Sequence, residues 1–404
     1  MSDPAPIRFG VLGMGRAFTL MLPTFLGDKR IRLVAAFDPR ASARSAFETV
    51  FGGKACSTEE EVCADPSVEW IYVATPHQLH TRHVEMAAAH GKHVLVEKPL
   101  AITLEEGARM VEACKKAGVW LIVGHSHSFN TPVLNARQLI ADGRYGEVRM
   151  IEALQYTDFM YRPRRPEELD TSQGGGVVFS QAAHQVDMVR LLGGGLVDSV
   201  RARLGRWDPA RPTEGAYSAL LSFKEGAFAS ISYNGYGFFD TDRWMNGTGE
   251  MGTPKAVDAH QQTRSRLRSA SDEAAEVALK AERNFGGSAF KLAEPRAPAA
   301  FQHFGPVIVS CDHADLRLTP SGVEVIDSSG ATLLATPLPS VPRAEVIDEV
   351  WQAGREECPP LHDGEWSLAT VEVCLAMLAS DAGRRDIPLH HQVSPSRLPN
   401  AHPR

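Results

Sequence analysis

The sequence predicts an α/β domain followed by an α+β domain: a doubly wound parallel sheet over residues 1–125, then a mainly antiparallel sheet domain over 126–404 whose C-terminal helices can pack back on the first domain. Three observations carry this. Short apolar runs alternate with amphipathic segments through the first 125 residues. Beyond that point strand-like runs follow one another without helices between them. A chain of 404 residues, 43% hydrophobic and 23% charged, is also long and apolar enough for two cores, at roughly 100–200 residues per domain.

Ile7–Leu12, Ile31–Phe37, Trp70–Ala74, His93–Val96 and Trp120–Val123 are short, partly β-branched and bounded by Gly, Pro or Asp, as strands buried on both faces should be. Helices fill the gaps. Thr81–His90 ends at Gly91, and Thr103 with Glu106 makes a capping box for a helix that Gly118 terminates. Gly146–Leu154, Val197–Gly205, Tyr217–Phe223, Ala227–Tyr233, Val307–Cys311, Leu316–Thr319 and Gly322–Ile326 then read as strands, with helices at Gln181–Leu192, Arg343–Glu356 and Ser367–Ala382. Lys255–Arg283 is Ala-rich and charged, and is expected to be a helical, solvated excursion with Arg264, Arg266 and Arg268 on its wet face. The last dozen residues, rich in Pro and His, read as a loose tail.

Several function classes drop out. A net charge of -7 argues against nucleic acid or an anionic membrane as partner. The longest apolar runs, Trp70–Ala74 and Val119–Val123, are far below the ~20 residues of a membrane span. Met1-Ser2-Asp3-Pro4 does not open a secretory leader, and cysteines 56, 63, 114, 311, 358 and 374 form no C-x-x-C pair. The expectation is a cytoplasmic protein with reduced thiols.

The first strand runs into Gly13-Met14-Gly15-Arg16-Ala17-Phe18. Gly13 and Gly15 are the first two glycines of G-x-G-x-x-G, allowing a tight turn and close backbone approach to a pyrophosphate where Arg16 and Ala17 open a helix. Phe18 stands where the third glycine belongs. Asp38 ends the second strand, 25 residues after Gly13, placed to accept both ribose hydroxyls of adenosine. That carboxylate repels a 2′-phosphate and favours NAD over NADP, although Arg40 nearby can tolerate the phosphate.

Two more motifs follow: Gly91-Lys92-His93-Val94-Leu95-Val96-Glu97-Lys98-Pro99, and Gly174-Gly175-Gly176 with His184 and Asp187 after it. With the glycine turn and Ala74-Thr75-Pro76, they resemble the Gfo/Idh/MocA oxidoreductases. The resemblance implies a Rossmann domain followed by an open-faced antiparallel sheet domain. It also implies that Lys98 lies at the hydride-transfer site, with Thr75, Pro76, His80 and Glu97 near the cofactor. Phe18–Phe25, Gly124–Phe129, Tyr161–Asp170 and Val178–Asp187 are similar to the NAD-linked phthalate cis-dihydrodiol dehydrogenases of that family. This implies oxidation of cis-4,5-dihydroxycyclohexadiene-1,2-dicarboxylate to 4,5-dihydroxyphthalate in phthalate breakdown.

Oxidising a secondary alcohol needs a hydride acceptor and a base for the hydroxyl proton. Lys98 can be that base, or as an ammonium can steady an alkoxide. On a regular helix Ser180, His184 and Asp187 share a face, so Asp187 can orient the imidazole while His184, beside Ser180, meets the substrate. Related sugar dehydrogenases carry Asp where this chain has Ser180, which moves proton removal onto Lys98 and His184. A dianionic substrate needs local cations, and Arg162, Arg164 and Arg165 can supply bidentate contacts. Pairing with Glu167, Glu168 and Asp170 on a solvated loop competes for them. His125 and His127 alternate at the exit of the first domain, with His127 the one expected to reach the substrate.

Histidines 77, 80 and 83 lack the carboxylate or cysteine company of a zinc site, so no metal is expected. The alternatives are a sugar, inositol or other dihydrodiol dehydrogenase of the same family, or a non-catalytic NAD-binding sensor. The uncovered face of an antiparallel sheet, together with the resemblance, implies a homodimer or homotetramer joined through that face.

Overall fold

The five apolar runs, with one two-residue strand added, pair as one parallel sheet: β1 (Ile7–Leu12), β2 (Ile31–Phe37), β3 (Lys54–Ala55), β4 (Trp70–Val73), β5 (His93–Val96) and β6 (Leu121–Val123). Their order is β3-β2-β1-β4-β5-β6, which puts the reversal of direction between β1 and β4. The computed structural model describes residues 4–292, 294 and 296–397; the opening residues and most of the expected tail lie outside these. The connecting helices are α1 (Arg16–Gly27), α2 (Ala41–Phe51), α3 (Glu59–Ala64), α4 (His80–Ala89) and α5 (Leu104–Ala117). The Thr103 hydroxyl accepts the Glu106 N–H at 3.2 Å, and Gly118 closes α5 in the left-handed region at φ 67°.

The chain separates into two compact units, and a single boundary at residue 125 captures only part of the division. Residues 274–297 and 339–368 cluster with the first unit. The core of that unit is aromatic: Phe9 packs against Trp70 (6.0 Å between centroids), Phe25 against Tyr72 (5.2 Å) and Phe18 against Phe25 (5.7 Å). Phe18 is fully buried and meets Phe285 edge to face at 5.1 Å. This gives the missing third glycine its reason, because the position is occupied by core.

Lys255–Arg283 is helical and, apart from buried His260, exposed or half-exposed, as a solvated excursion should be. It carries α6 (Ala259–Arg268) and α7 (Glu273–Ala281) and leads to Phe285, whose N–H bonds the Thr19 hydroxyl at 2.9 Å. Arg264 is an exception to the expected wet face, being half-buried. Its guanidinium lies over Tyr161 (4.2 Å) and Phe238 (4.4 Å) and donates to the carbonyls of Tyr236 and Gly237.

The second unit is built on nine strands. In chain order they are β7 (Val148–Tyr156), β8 (Val197–Gly205), β9 (Ala216–Phe223), β10 (Phe228–Asn234), β11 (Val307–Cys311), β12 (Ala314–Thr319), β13 (Gly322–Asp327), β14 (Gly330–Ala335) and β15 (Ile387–Pro388). The sheet order is β14-β13-β12-β11-β7-β10-β9-β8-β15, antiparallel except where β10 runs parallel to β7. Burial alternates along β10, with Ala229, Ile231 and Tyr233 inward. A helix over Ala183–Leu192, α8 below, lies buried all round, as befits an apolar helix against the sheet. Three strands were not legible: β3 and β15 have two residues each, and edge strand β14 is exposed along its length with no alternation. Among the described residues no helix is long and apolar enough to cross a membrane.

Candidate active site

In the first unit the candidate groups gather at the carboxyl ends of β1, β2, β4 and β5. Gly13 sits at φ 88°, where a Cβ would lie 2.8 Å from the Ala74 carbonyl oxygen, so the turn excludes any side chain. A Cβ on Gly15 would meet nothing within 4 Å. No side chain caps α1, and its first turn, starting at Arg16 and Ala17, carries no acid. A helix N-terminus with open space in front of it fits a pyrophosphate.

Asp38 is buried and accepts the Met14 N–H at 2.7 Å, tying the end of β2 to the glycine turn. Its other oxygen takes the Arg40 N–H and Nε, both at 2.9 Å. Arg40 thus belongs to the carboxylate, and donates further to the carbonyls of Met14 (2.8 Å) and Phe285 (3.2 Å). These residues fit an adenosine ribose at Asp38.

Thr75 and Pro76 follow β4. His80 lies fully buried behind them, with Nε2 3.1 Å from the Thr75 carbonyl and Nδ1 3.0 Å from the Pro99 carbonyl. Burial pushes its imidazole down to about 4. His80 therefore braces the two loops that flank the expected nicotinamide position. His83 bonds the Thr75 hydroxyl at 3.0 Å, so two of the three suspected histidines serve this loop. Lys98 is half-buried after β5. Its neighbour Glu97 is buried and accepts the Tyr72 hydroxyl at 2.6 Å. Burial raises the Glu97 carboxyl, against the Tyr72 bond and the charges of Arg343 and Lys98. Arg343, from the returning segment, had no sequence motif to announce it.

The second unit holds the histidines and arginines. A π-turn over Val178–Ala182 precedes the buried helix α8 (Ala183–Leu192), so the spacing that set Ser180 on the His184 face does not apply across it. The Ser180 hydroxyl donates back to the Gly176 carbonyl. The two oxygens of Asp187 take the hydroxyls of Ser128 and Thr370, the latter at 3.1 Å, which anchors the helix. His184 packs edge to face on His127 at 4.9 Å and, tilted by 46°, on Phe304 at 5.3 Å.

His127 has its Nδ1 against the Asn130 amide nitrogen at 2.9 Å, and that nitrogen also donates to the Gln302 carbonyl. The contact assigns the His127 proton to Nε2, which lies 3.5 Å from Glu250 Oε1. Burial works against the Glu250 charge, but the His127 bond and Arg162 outweigh it and hold the carboxyl near 2. Glu250, in a glycine-rich turn, was invisible to periodicity. His125 falls in the other unit, at its boundary.

The three arginines part company. Arg162 is taken by Asp158 (3.0 Å), with Glu250 at 4.0 Å. Arg165 pairs with Glu167 (2.9 Å) and Glu168 (3.5 Å) on its own loop. Arg164 turns inward, its guanidinium 3.5 Å over the Phe159 ring and donating to the Phe159 carbonyl at 2.7 Å.

The glycine run has a packing cause. A Cβ on Gly176, at φ 77°, would lie 2.0 Å from a carboxylate oxygen of buried Glu214. That carboxylate accepts the Val178 N–H and the hydroxyls of Thr213 and Thr171. Glu214 thereby locks the turn before β9 onto the approach to α8.

Comparison with known proteins gives the family and the fold. Residues 7–125 match the oxidoreductase family with an NAD-binding Rossmann fold, and residues 133–253 match the GFO/IDH/MocA C-terminal domain. The 1-carboxy-3-chloro-3,4-dihydroxycyclohexa-1,5-diene dehydrogenase of Comamonas testosteroni is 45% identical over 373 residues, covering 92% of this chain and 94% of that protein. A Bordetella bronchiseptica RB50 protein assigned as a dehydrogenase superposes with a TM-score of 0.89 at 38% identity, covering 95% of this chain and 100% of that one. The WlbA dehydrogenase of Bordetella pertussis, solved with NADH and UDP-GlcNAcA, shares the fold at TM-score 0.65 and 22% identity, over 95% of this chain and 99% of that one. The chain belongs to the Gfo/Idh/MocA family and is an NAD-dependent dehydrogenase.

Proposed function

We propose that this enzyme oxidises a carboxylated cyclohexadiene cis-diol, with cis-4,5-dihydroxycyclohexadiene-1,2-dicarboxylate as the leading substrate and 4,5-dihydroxyphthalate as product. The observation that carries the reading is the 45% identity, across nearly the whole of both chains, to a dehydrogenase of a carboxylated dihydroxycyclohexadiene. The inward-turned Arg164 supports it.

The residues supply what the reaction needs. NAD, when bound, supplies the hydride acceptor. Gly13, Gly15 and the start of α1 leave room for its pyrophosphate, and Asp38 offers its carboxylate to the adenosine ribose. The substrate gives up a hydride from one carbinol carbon and a proton from its hydroxyl. Lys98 takes that proton as a free amine, or steadies the alkoxide by charge. His184, packed on His127 and Phe304, is the second proton-handling group. The enone left behind tautomerises to a catechol, and the gain of aromaticity draws the oxidation forward. Positioning and one base are then enough.

The test is NADH formation with the cis-4,5-dihydrodiol of phthalate, a monocarboxylated cis-dihydrodiol, an uncarboxylated one, inositol and glucose. Turnover concentrated on carboxylated diols is expected. Turnover of the sugars alone would overturn the diol assignment, and NAD binding with no turnover on any substrate would favour a sensor.

A further inference from the structure

Phe285, on a segment that returns to the first unit, reaches the dinucleotide turn with both of its backbone groups. Its N–H bonds the Thr19 hydroxyl at 2.9 Å, and that hydroxyl donates to the Gly15 carbonyl at 2.8 Å. Its carbonyl accepts from Nη1 of Arg40 at 3.2 Å. The Phe285 ring is fully buried against Phe18, Phe51 and Phe290, so packing fixes where these backbone groups lie. Gly286 extends the contact. At φ 72°, a Cβ there would lie 2.7 Å from the Ala43 Cα, so the segment rests directly on the first turn of α2.

Arg40 decides what this means for the cofactor. A guanidinium beside the ribose-binding acid is the group that a 2′-phosphate needs as its partner. Two nitrogens of Arg40 are already taken by the Asp38 oxygens, Nε at 2.9 Å and Nη2 at 3.1 Å. Nη2 donates to the Met14 carbonyl as well, at 2.8 Å. That leaves Nη1, and the Phe285 carbonyl holds it. Each nitrogen of the guanidinium thus has a partner within the protein. The next cation along α2, Arg44, also turns to backbone, its Nη1 donating to the carbonyls of Asp38 (2.7 Å) and Pro39 (3.1 Å).

We infer that the Phe285–Gly286 segment is a specificity determinant for the cofactor. By fastening Arg40 to the protein it withholds the cation that would pair with a 2′-phosphate, and so favours NAD over NADP. Phe285 and Gly286 are positioning residues, acting through Arg40. The inference concerns the cofactor alone and stands apart from which diol is oxidised.

The test is fluorescence titration of NADH and NADPH, which needs no substrate. It covers wild type, Gly286→Ala, Thr19→Val, Arg40→Gln and the double variant Gly286→Ala with Arg40→Gln. Wild type should bind NADH at least about tenfold more tightly than NADPH, the weight of one charge-assisted hydrogen bond. Gly286→Ala lifts the segment off α2, and Thr19→Val removes the acceptor of the Phe285 N–H. Each should release Arg40 and tighten NADPH about tenfold without tightening NADH. Adding Arg40→Gln to Gly286→Ala should abolish that gain, and Arg40→Gln alone should not weaken NADPH more than NADH. A merely structural segment would weaken both nucleotides in parallel, and an unmoved ratio in Gly286→Ala and Thr19→Val overturns the inference. Equal affinities in wild type overturn it too, as does a gain in NADPH binding that survives loss of Arg40. Should neither Gly286→Ala nor Thr19→Val fold by circular dichroism, Arg40→Gln decides. NADPH weakened more than NADH in that variant would show that the arginine already reads the phosphate, against the inference.

Discussion

Lys98 and Asp38 show how one side chain can be read in two ways. Asp38 has a structural duty, because the Met14 N–H and Arg40 both end on it, as well as the ribose duty its position suggests. Lys98 is cleaner to test. It follows Glu97, which Tyr72 and Arg343 already serve, so removing the lysine leaves that buried carboxyl with partners. Lys98→Ala should lower kcat by about 10²–10⁴-fold, the usual weight of a positioned acid or base, and change the NAD dissociation constant by less than about threefold. Stopped-flow turnover beside a fluorescence titration of NADH measures both. A parallel loss of binding and turnover would make Lys98 a structural residue. At this scale sequence reasoning named the donors and acceptors by type, but partner identity escaped it. Asn130, which sets the His127 tautomer, is only three residues away, but nothing local predicts that Glu250 faces that histidine from more than a hundred residues further along the chain.

At the scale of elements, the glycine run before α8 and the π-turn after it govern where His184 stands. The sequence marked Gly174-Gly175-Gly176 as a motif, while its physical cause, the Glu214 carboxylate where a Cβ would go, lies about forty residues away. Gly176→Ala forces a side chain into the left-handed region and breaks bonds to a buried carboxylate. It should reduce unfolding free energy by about 2–4 kcal/mol and lower activity as the approach to α8 shifts. Urea denaturation followed by circular dichroism checks this, and a change below about 0.5 kcal/mol would show that Glu214 relocates freely. The π-turn was unreadable because a helical pattern gives the same residues whether or not one extra residue is inserted. Local signals did better where the cause was local, as at Thr103 and Gly118.

Across the whole molecule, the chain leaves its second unit twice to complete the first. Phe285 is the anchor of one return, fully buried against Phe18, Phe51 and Phe290. Phe285→Ala should cost about 3–5 kcal/mol, the range for emptying a buried aromatic site, and should weaken NADH binding, because Arg40 donates to the Phe285 carbonyl beside Asp38. Thermal unfolding with and without NADH reports both effects. An unperturbed melting temperature would mean that the segment is not docked. The sequence by itself determined the strand–helix rhythm of the first unit, the succession of strands in the second, the glycine turn with Asp38, and the Glu97-Lys98-Pro99 ending. Each is written in neighbouring residues, through hydrophobic period, cap chemistry and backbone freedom. Only the tertiary structure decided which arginine turns inward, which acid meets His127, and that Phe285 fills the space beside Phe18. Those outcomes depend on charges and volumes brought together from distant stretches of chain, where burial, not spacing, selects the partner.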